Sequence, residues 1–247
     1  MLDFSEAVLL VLIFVFGSIV FGFLNVVIYR LPRGENFITG RSKCASCGHE
    51  LSFVDMAPIL SRAALGGKCR YCGERIFARC ALIDALGGAA AVGCAVLFGL
   101  SIYTVLAFAM CGILVCVGSI DYDTMEIPDV LNIAAAVVGV LSMLLTDHAV
   151  WYDHLLGMFV ISVPMLIIAV VIPGAFGGGD IKLMAGCGLF LGWVNAVFAF
   201  AAGVVIGGVW ALVLIVRGKK GRKDKIAFGP SLCLGVAFAI FAHFSFL

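Results

Sequence analysis

Phe176-Gly177-Gly178-Gly179-Asp180-Ile181-Lys182 stands between two apolar runs, 155–173 and 182–193, and its reading decides the architecture. Three consecutive glycines open backbone conformations closed to other residues and let another chain come close. An acid directly after them, at the edge of an apolar run, is costly to keep and marks a functional site by default. Such an acid calls for a partner. One lies upstream at Asp121, in Ile120-Asp121-Tyr122-Asp123-Thr124-Met125-Glu126-Ile127-Pro128-Asp129.

The runs on either side are part of a general pattern. Of the 247 residues, 63% are hydrophobic and 13% charged, and mean hydropathy is +1.17. A soluble domain carries about 25% charged residues and about 45–50% apolar ones. The apolar excess falls at 7–28, 80–99, 103–120, 128–146, 155–173, 182–193, 195–216 and 226–246. Most of these approach the ~20 residues needed to cross a bilayer. Hydrocarbon offers free backbone groups no partner, so each is expected to be a helix. The expected class is therefore an all-α polytopic membrane protein with about eight transmembrane helices, in contact with the lipid bilayer throughout. The glycine stretch opens the sixth of them, which puts Asp180 slightly inside the membrane boundary.

The first run is expected to be an uncleaved span. A signal peptide would show a basic leading region and a small-residue cleavage site. This run is flanked instead by Asp3 and Glu6 and ends in Asn25-Val-Val-Ile-Tyr-Arg30-Leu-Pro32. Three parts follow: a first helix over 1–29, a polar insert over 30–79 and a seven-helix membrane core over 80–247.

Lys and Arg collect on the cytoplasmic side of membrane proteins. Nine lie between Arg30 and Arg79, six between Arg217 and Lys225, and the sixteenth is Lys182. Threading eight spans from an outside N-terminus puts all three regions in the cytoplasm, together with Asp121–Asp129. The Lys- and Arg-free loops at 99–102, 146–154 and 192–195 fall outside. Both aspartates then face one side of a cytoplasmic membrane. Net charge of +1 carries no information about partners, and no nucleic-acid partner is expected.

The insert carries Cys44-Ala-Ser-Cys47-Gly48 and Cys69-Arg-Tyr-Cys72-Gly73. Two such knuckles about twenty residues apart have the spacing of a four-thiolate zinc site. Cys44, Cys47, Cys69 and Cys72 are the expected ligands of a structural metal in a small zinc-ribbon-like fold. The insert has few apolar residues, so the metal would supply folding free energy that a core does not. Disulfides are the alternative, disfavoured in a reducing cytoplasm. His49 is expected beside the site as a surface residue. Cys80, Cys94, Cys111, Cys116, Cys187 and Cys233 lie within apolar runs and read as small buried hydrophobes.

Two carboxylates in one site do not both ionise easily, so one rises in pKa and the pair holds one proton. The ionised member takes a proton from water as it attacks a peptide carbonyl. The protonated member gives its proton to the carbonyl oxygen and then to the leaving amine. That is aspartic peptidase chemistry, with no metal and no covalent intermediate. The plainer alternative makes Asp121 and Asp180 helix-end caps at the interface. Asp123, Glu126 and Asp129 read as solvated loop acids, or as a negative patch that receives a basic segment of substrate.

These residues together resemble the type IV prepilin peptidases, membrane aspartic peptidases that also N-methylate their product. The resemblance covers nearly the whole chain. It includes Gly17-Ser18 and Asn25–Pro32, the two knuckles, and Asp55-Met-Ala-Pro58-Ile-Leu-Ser61 and Gly66-Gly67-Lys-Cys69 between them. It continues through Asp121-x-Asp123-x-x-x-Ile127-Pro128-Asp129, Gly177-x-Gly179-Asp180-x-Lys182 and Ala227-Phe228-Gly229-Pro230. The Gly-x-Gly-Asp string alone is weak; the strings in this order are specific. Phe53, and Arg79-Cys-Ala-Leu-Ile-Asp84, depart from the family's usual residues.

The resemblance implies catalytic roles for Asp121 and Asp180, with Gly177, Gly179, Lys182, Asp123, Glu126 and Asp129 as supporting or substrate-binding residues. It also implies a prepilin or pseudopilin precursor with a basic leader, a glycine before the cut and an apolar helix after it. S-adenosylmethionine would be the methyl donor. No glycine-rich nucleotide fingerprint marks its site. The competing readings are a peptidase without methyltransferase activity, a transporter, and a non-catalytic assembly scaffold docking through the insert.

Overall fold

The structure, a computed structural model, describes residues 4–36, 47, 49, 71–73, 78–146, 151–218 and 226–242. Among them lie eight α-helices and no strand: α1 (Phe4–Arg30), α2 (Ala78–Phe98), α3 (Ile102–Thr124), α4 (Asp129–Leu145), α5 (Trp151–Val171), α6 (Gly178–Leu191), α7 (Trp193–Val216) and α8 (Gly229–Ala242). Each coincides with one of the eight apolar runs. Five of them, α1, α2, α3, α5 and α7, are long and apolar enough to cross a membrane. The other three have 17, 14 and 14 residues.

Helix ends follow local chemistry. Ser101 caps α3, its Oγ accepting from the Thr104 N–H at 3.2 Å. The same helix does not stop at Ile120, as hydropathy alone suggests, but runs to Thr124 and carries Asp121 within its last turn. Only then does Met125 turn left-handed, at φ 56°, its N–H returning to the Asp121 carbonyl at 2.9 Å. Pro128 stands at the start of α4, where its missing N–H costs nothing. Helix α6 likewise begins earlier than its apolar run, at Gly178, which draws Asp180 into its first turn.

The chain divides into two compact units, Met1–Leu97 and Phe98–Leu247. In the first, α1 and α2 meet where glycines leave room. Gly17 lies so close to Gly87 and Ala91 that a Cβ there would stand 2.6 Å from the Ala91 Cβ. Toward the basic end of the pair, the Asn25 amide donates to the Asp84 carboxylate at 2.8 Å and to the Cys80 carbonyl at 3.2 Å. Polar contacts of this kind bind helices together in an apolar setting.

In the second unit α6 is the centre. It packs against α4, α5, α7 and α8, and α3 packs against α4 and α8. Nine of its 14 residues are buried. At about 1.5 Å per residue it is roughly 21 Å long, short of the ~30 Å of hydrocarbon. Neighbouring helices cover it instead. The contact is close because small residues face each other: Gly188 against Gly157 of α5, and Gly186 against Ala135 and Ala136 of α4. The outer faces of α5 and α7 carry exposed Leu166, Ile167, Val205, Val209 and Leu212, as a lipid-facing surface should.

The expected zinc-ribbon insert lies largely outside the described residues, Cys44 and Cys69 included. Cys47 and Cys72 are exposed. The rings of His49 and Tyr71 lie 3.6 Å apart, so the chain just after Cys47 meets the chain just before Cys72.

Candidate active site

Asp121 and Asp180 come together at one end of the second unit, with 6% and 8% of their surface exposed. Asp180 lies within electrostatic reach of Asp121. Each is held by one backbone amide at the start of a helix. The Gly229 N–H, opening α8, donates to Asp121 Oδ2 at 2.9 Å. The Gly177 N–H, just before α6, donates to Asp180 Oδ2 at 3.2 Å. Orphan amides at helix starts favour an anionic acceptor. The cap reading is therefore right about one oxygen of each carboxylate. It does not account for Asp180 Oδ1, which is buried and has no hydrogen-bond partner among the described residues.

Glycine is required where the two loops meet. A Cβ on Gly229 would stand 2.6 Å from Asp121 Oδ2, and one on Gly179 would stand 2.9 Å from the Ile127 Cβ. The segment after Asp121 thus lies directly on the segment before Asp180. Gly178, between the other two glycines, faces open space.

Lys182 bonds Asp129 at 2.7 Å, tying the first turn of α6 to that of α4. Both are exposed, as are Asp123 and Glu126. The Thr124 hydroxyl donates to the Ile120 carbonyl at 2.9 Å and accepts from the Glu126 N–H at 3.3 Å, holding the turn between α3 and α4. Asp129 thus pairs with a residue of another helix while remaining exposed to solvent.

Three features escape sequence reasoning. Gly229 belongs to the site; its signal was a glycine and proline opening a helix. An aromatic cluster flanks both loops, with Phe228 and Phe200 at 5.9 and 6.4 Å from Phe176. Asn132, on α4, is buried although nothing in the pattern separates it from its apolar neighbours. Cys94, Cys111, Cys116, Cys187 and Cys233 are buried as expected, whereas Cys80 is only half-buried; Cys233 lies near both aspartates.

Chemically, two carboxylates in fixed orientation, one with an oxygen left over, suit paired acid and base work. Among the described residues no three His, Cys, Asp or Glu side chains gather to hold a metal.

Comparison with known proteins agrees in kind. The model of the bacterial peptidase A24 N-terminal domain matches residues 15–98, and that of the type IV leader peptidase family matches residues 108–212. A prepilin leader peptidase/N-methyltransferase of Burkholderia pseudomallei (strain 1026b) is 31% identical, over 92% of this chain and 83% of the relative. One of Bacillus subtilis (strain 168) is 30% identical, over 94% and 93%. One of Myxococcus xanthus (strain DK1622) is 33% identical, over 87% and 66%. No solved structure matches. With both domain models in order and relatives matched along nearly its whole length, the chain belongs to the type IV leader peptidase family, as a multi-pass membrane enzyme.

Proposed function

We propose that this protein cleaves the basic leader of a prepilin or pseudopilin precursor after a glycine, at the cytoplasmic face of the bacterial inner membrane, and then N-methylates the new N-terminus. Asp121 and Asp180 share one proton. The ionised carboxylate takes a proton from water, and the water oxygen bonds to the scissile carbonyl carbon. The protonated carboxyl gives its proton to the carbonyl oxygen; as the C–N bond breaks, a proton passes to the leaving amine. The observation that carries this reading is the pairing of two buried aspartates, each oriented by a helix-start amide through one oxygen.

The substrate's apolar helix lies in the bilayer and its leader in the cytoplasm, with an N-terminus-outside threading of eight spans. The leader's basic residues are drawn by the exposed acids Asp123, Glu126 and Asp129, the last of which also bonds Lys182. Gly177 and Gly179 serve by letting the loops close over Asp180.

Cys44, Cys47, Cys69 and Cys72 hold a structural zinc in the cytoplasmic insert. The tilted contact between the His49 and Tyr71 rings supports this, since it brings residues next to Cys47 and Cys72 together. S-adenosylmethionine supplies the methyl group, a role that rests on the family alone.

The test is mass analysis of a prepilin-like precursor after incubation with the purified protein, with and without S-adenosylmethionine. Cleavage after the glycine, and a methyl on the new N-terminus only when the donor is present, are expected. An uncut precursor would overturn the proposal; cleavage without methylation would reduce it to a peptidase.

A further inference from the structure

Asn132 lies one turn into α4 and is 4% exposed. Neither its Nδ2 nor its Oδ1 makes a hydrogen bond of normal geometry among the described residues. The Asp129 carboxylate, held by Lys182, takes a further and weaker side-chain hydrogen bond from Asn132, too loose in geometry to satisfy the buried amide. A buried amide with both atoms unsatisfied weakens the fold, and native proteins keep few of them.

Its position is fixed by the packing of α4 on α6. Ile127 lies on Gly179, Asp129 bonds Lys182, and Ala135 touches Gly186. The two helices therefore run parallel, and these pairs place Asn132 opposite Leu183 and Met184 of α6. Asp180 stands one turn before them, its Oδ1 likewise buried and without a hydrogen-bond partner among the described residues. Two orphaned polar groups thus stand at adjoining levels of the same helix pair.

The proposed substrate brings what both lack. A peptide bond must leave its helix to be attacked, and unwinding at a membrane edge frees main-chain N–H and C=O groups that hydrocarbon does not satisfy. A carboxamide offers two donors and an acceptor, the complement of one extended peptide unit. We propose that Asn132 is a substrate-binding residue that hydrogen-bonds the unwound main chain next to the scissile bond and so sets that bond beside Asp180. This rests on the peptidase reading above.

The test uses the purified full-length protein and a series of prepilin-like peptides, each with one amide flanking the cut replaced by an ester. An ester removes an N–H donor and weakens a carbonyl acceptor. In the wild type, one replacement should lower kcat/KM about tenfold, the scale of a hydrogen bond in a dry site. In Asn132→Leu that same replacement should cost nothing further. The variant should cleave the all-amide peptide about tenfold less well, mainly through KM, while its Tm rises because the unsatisfied amide is gone. Asn132→Gln should recover part of the loss.

Equal ester penalties in wild type and Asn132→Leu would overturn the assignment. So would a lowered Tm with KM unchanged, which would make Asn132 a packing residue. Failure of the wild type to cleave the all-amide peptide would instead overturn the peptidase reading, and this inference with it.

Discussion

Asp121 and Gly229 are 108 residues apart in sequence and joined by a single hydrogen bond. The bond exists because glycine leaves space for the carboxylate. Gly229→Ala would place a methyl 2.6 Å from Asp121 Oδ2, and a misplacement of about 1 Å near reacting atoms costs about 10²-fold in rate. A fall of that size in kcat, with the protein still folded, is expected from a cleavage assay. The three consecutive glycines should part company in the same assay. Gly178→Ala meets nothing and should cleave like wild type, whereas Gly179→Ala meets Ile127 and should be impaired. The two aspartates were legible in the sequence because charge is conspicuous in an apolar chain. Asn132 and Gly229 were not, because their roles depend on what faces them across a helix interface, and one polar or small residue leaves no periodic trace.

Among elements, hydropathy located every α-helix of the described residues but misjudged several of their ends, two of which bear on the site. Helix α3 continues four residues beyond its apolar run and α6 starts four residues before its own. Backbone hydrogen bonding and caps decide those ends, not side-chain hydropathy. The shifts matter, since they place Asp121 and Asp180 in helical turns rather than loops. Nor does composition reveal that α6 is enclosed by its neighbours. The α5–α6 crossing depends on Gly157 and Gly188 in mutual contact. Gly157→Val should destabilise the protein by about 1–3 kcal/mol through overpacking, read as a lowered denaturation midpoint in detergent.

For the whole molecule, charge asymmetry and the cysteine pairs carry the remaining expectations. Protease added to sealed vesicles with the cytoplasmic face outward should cut within 30–79 and 217–225; protection of both segments would reverse the proposed threading. Purified protein should carry one zinc per chain, and Cys47→Ser should lower that content with little change in the membrane helices. Equal zinc in the wild type and the variant would remove Cys47 from the ligand set. The eight α-helices among the described residues were foreseeable because hydrocarbon permits little else, although five of them are long and apolar enough to cross a membrane. Their division into units of 1–97 and 98–247 was not, since it depends on which small residues meet.

The catalytic pair is tested by cleavage of a prepilin-like precursor by Asp121→Asn and Asp180→Asn beside the wild type, with binding of the precursor measured in parallel. Each variant should bind the precursor and lose cleavage by about 10²–10⁴-fold, the contribution typical of a positioned acid or base. Wild-type rates in either variant would remove that residue from the chemistry, because a carboxamide neither takes the proton from water nor returns it to the leaving amine.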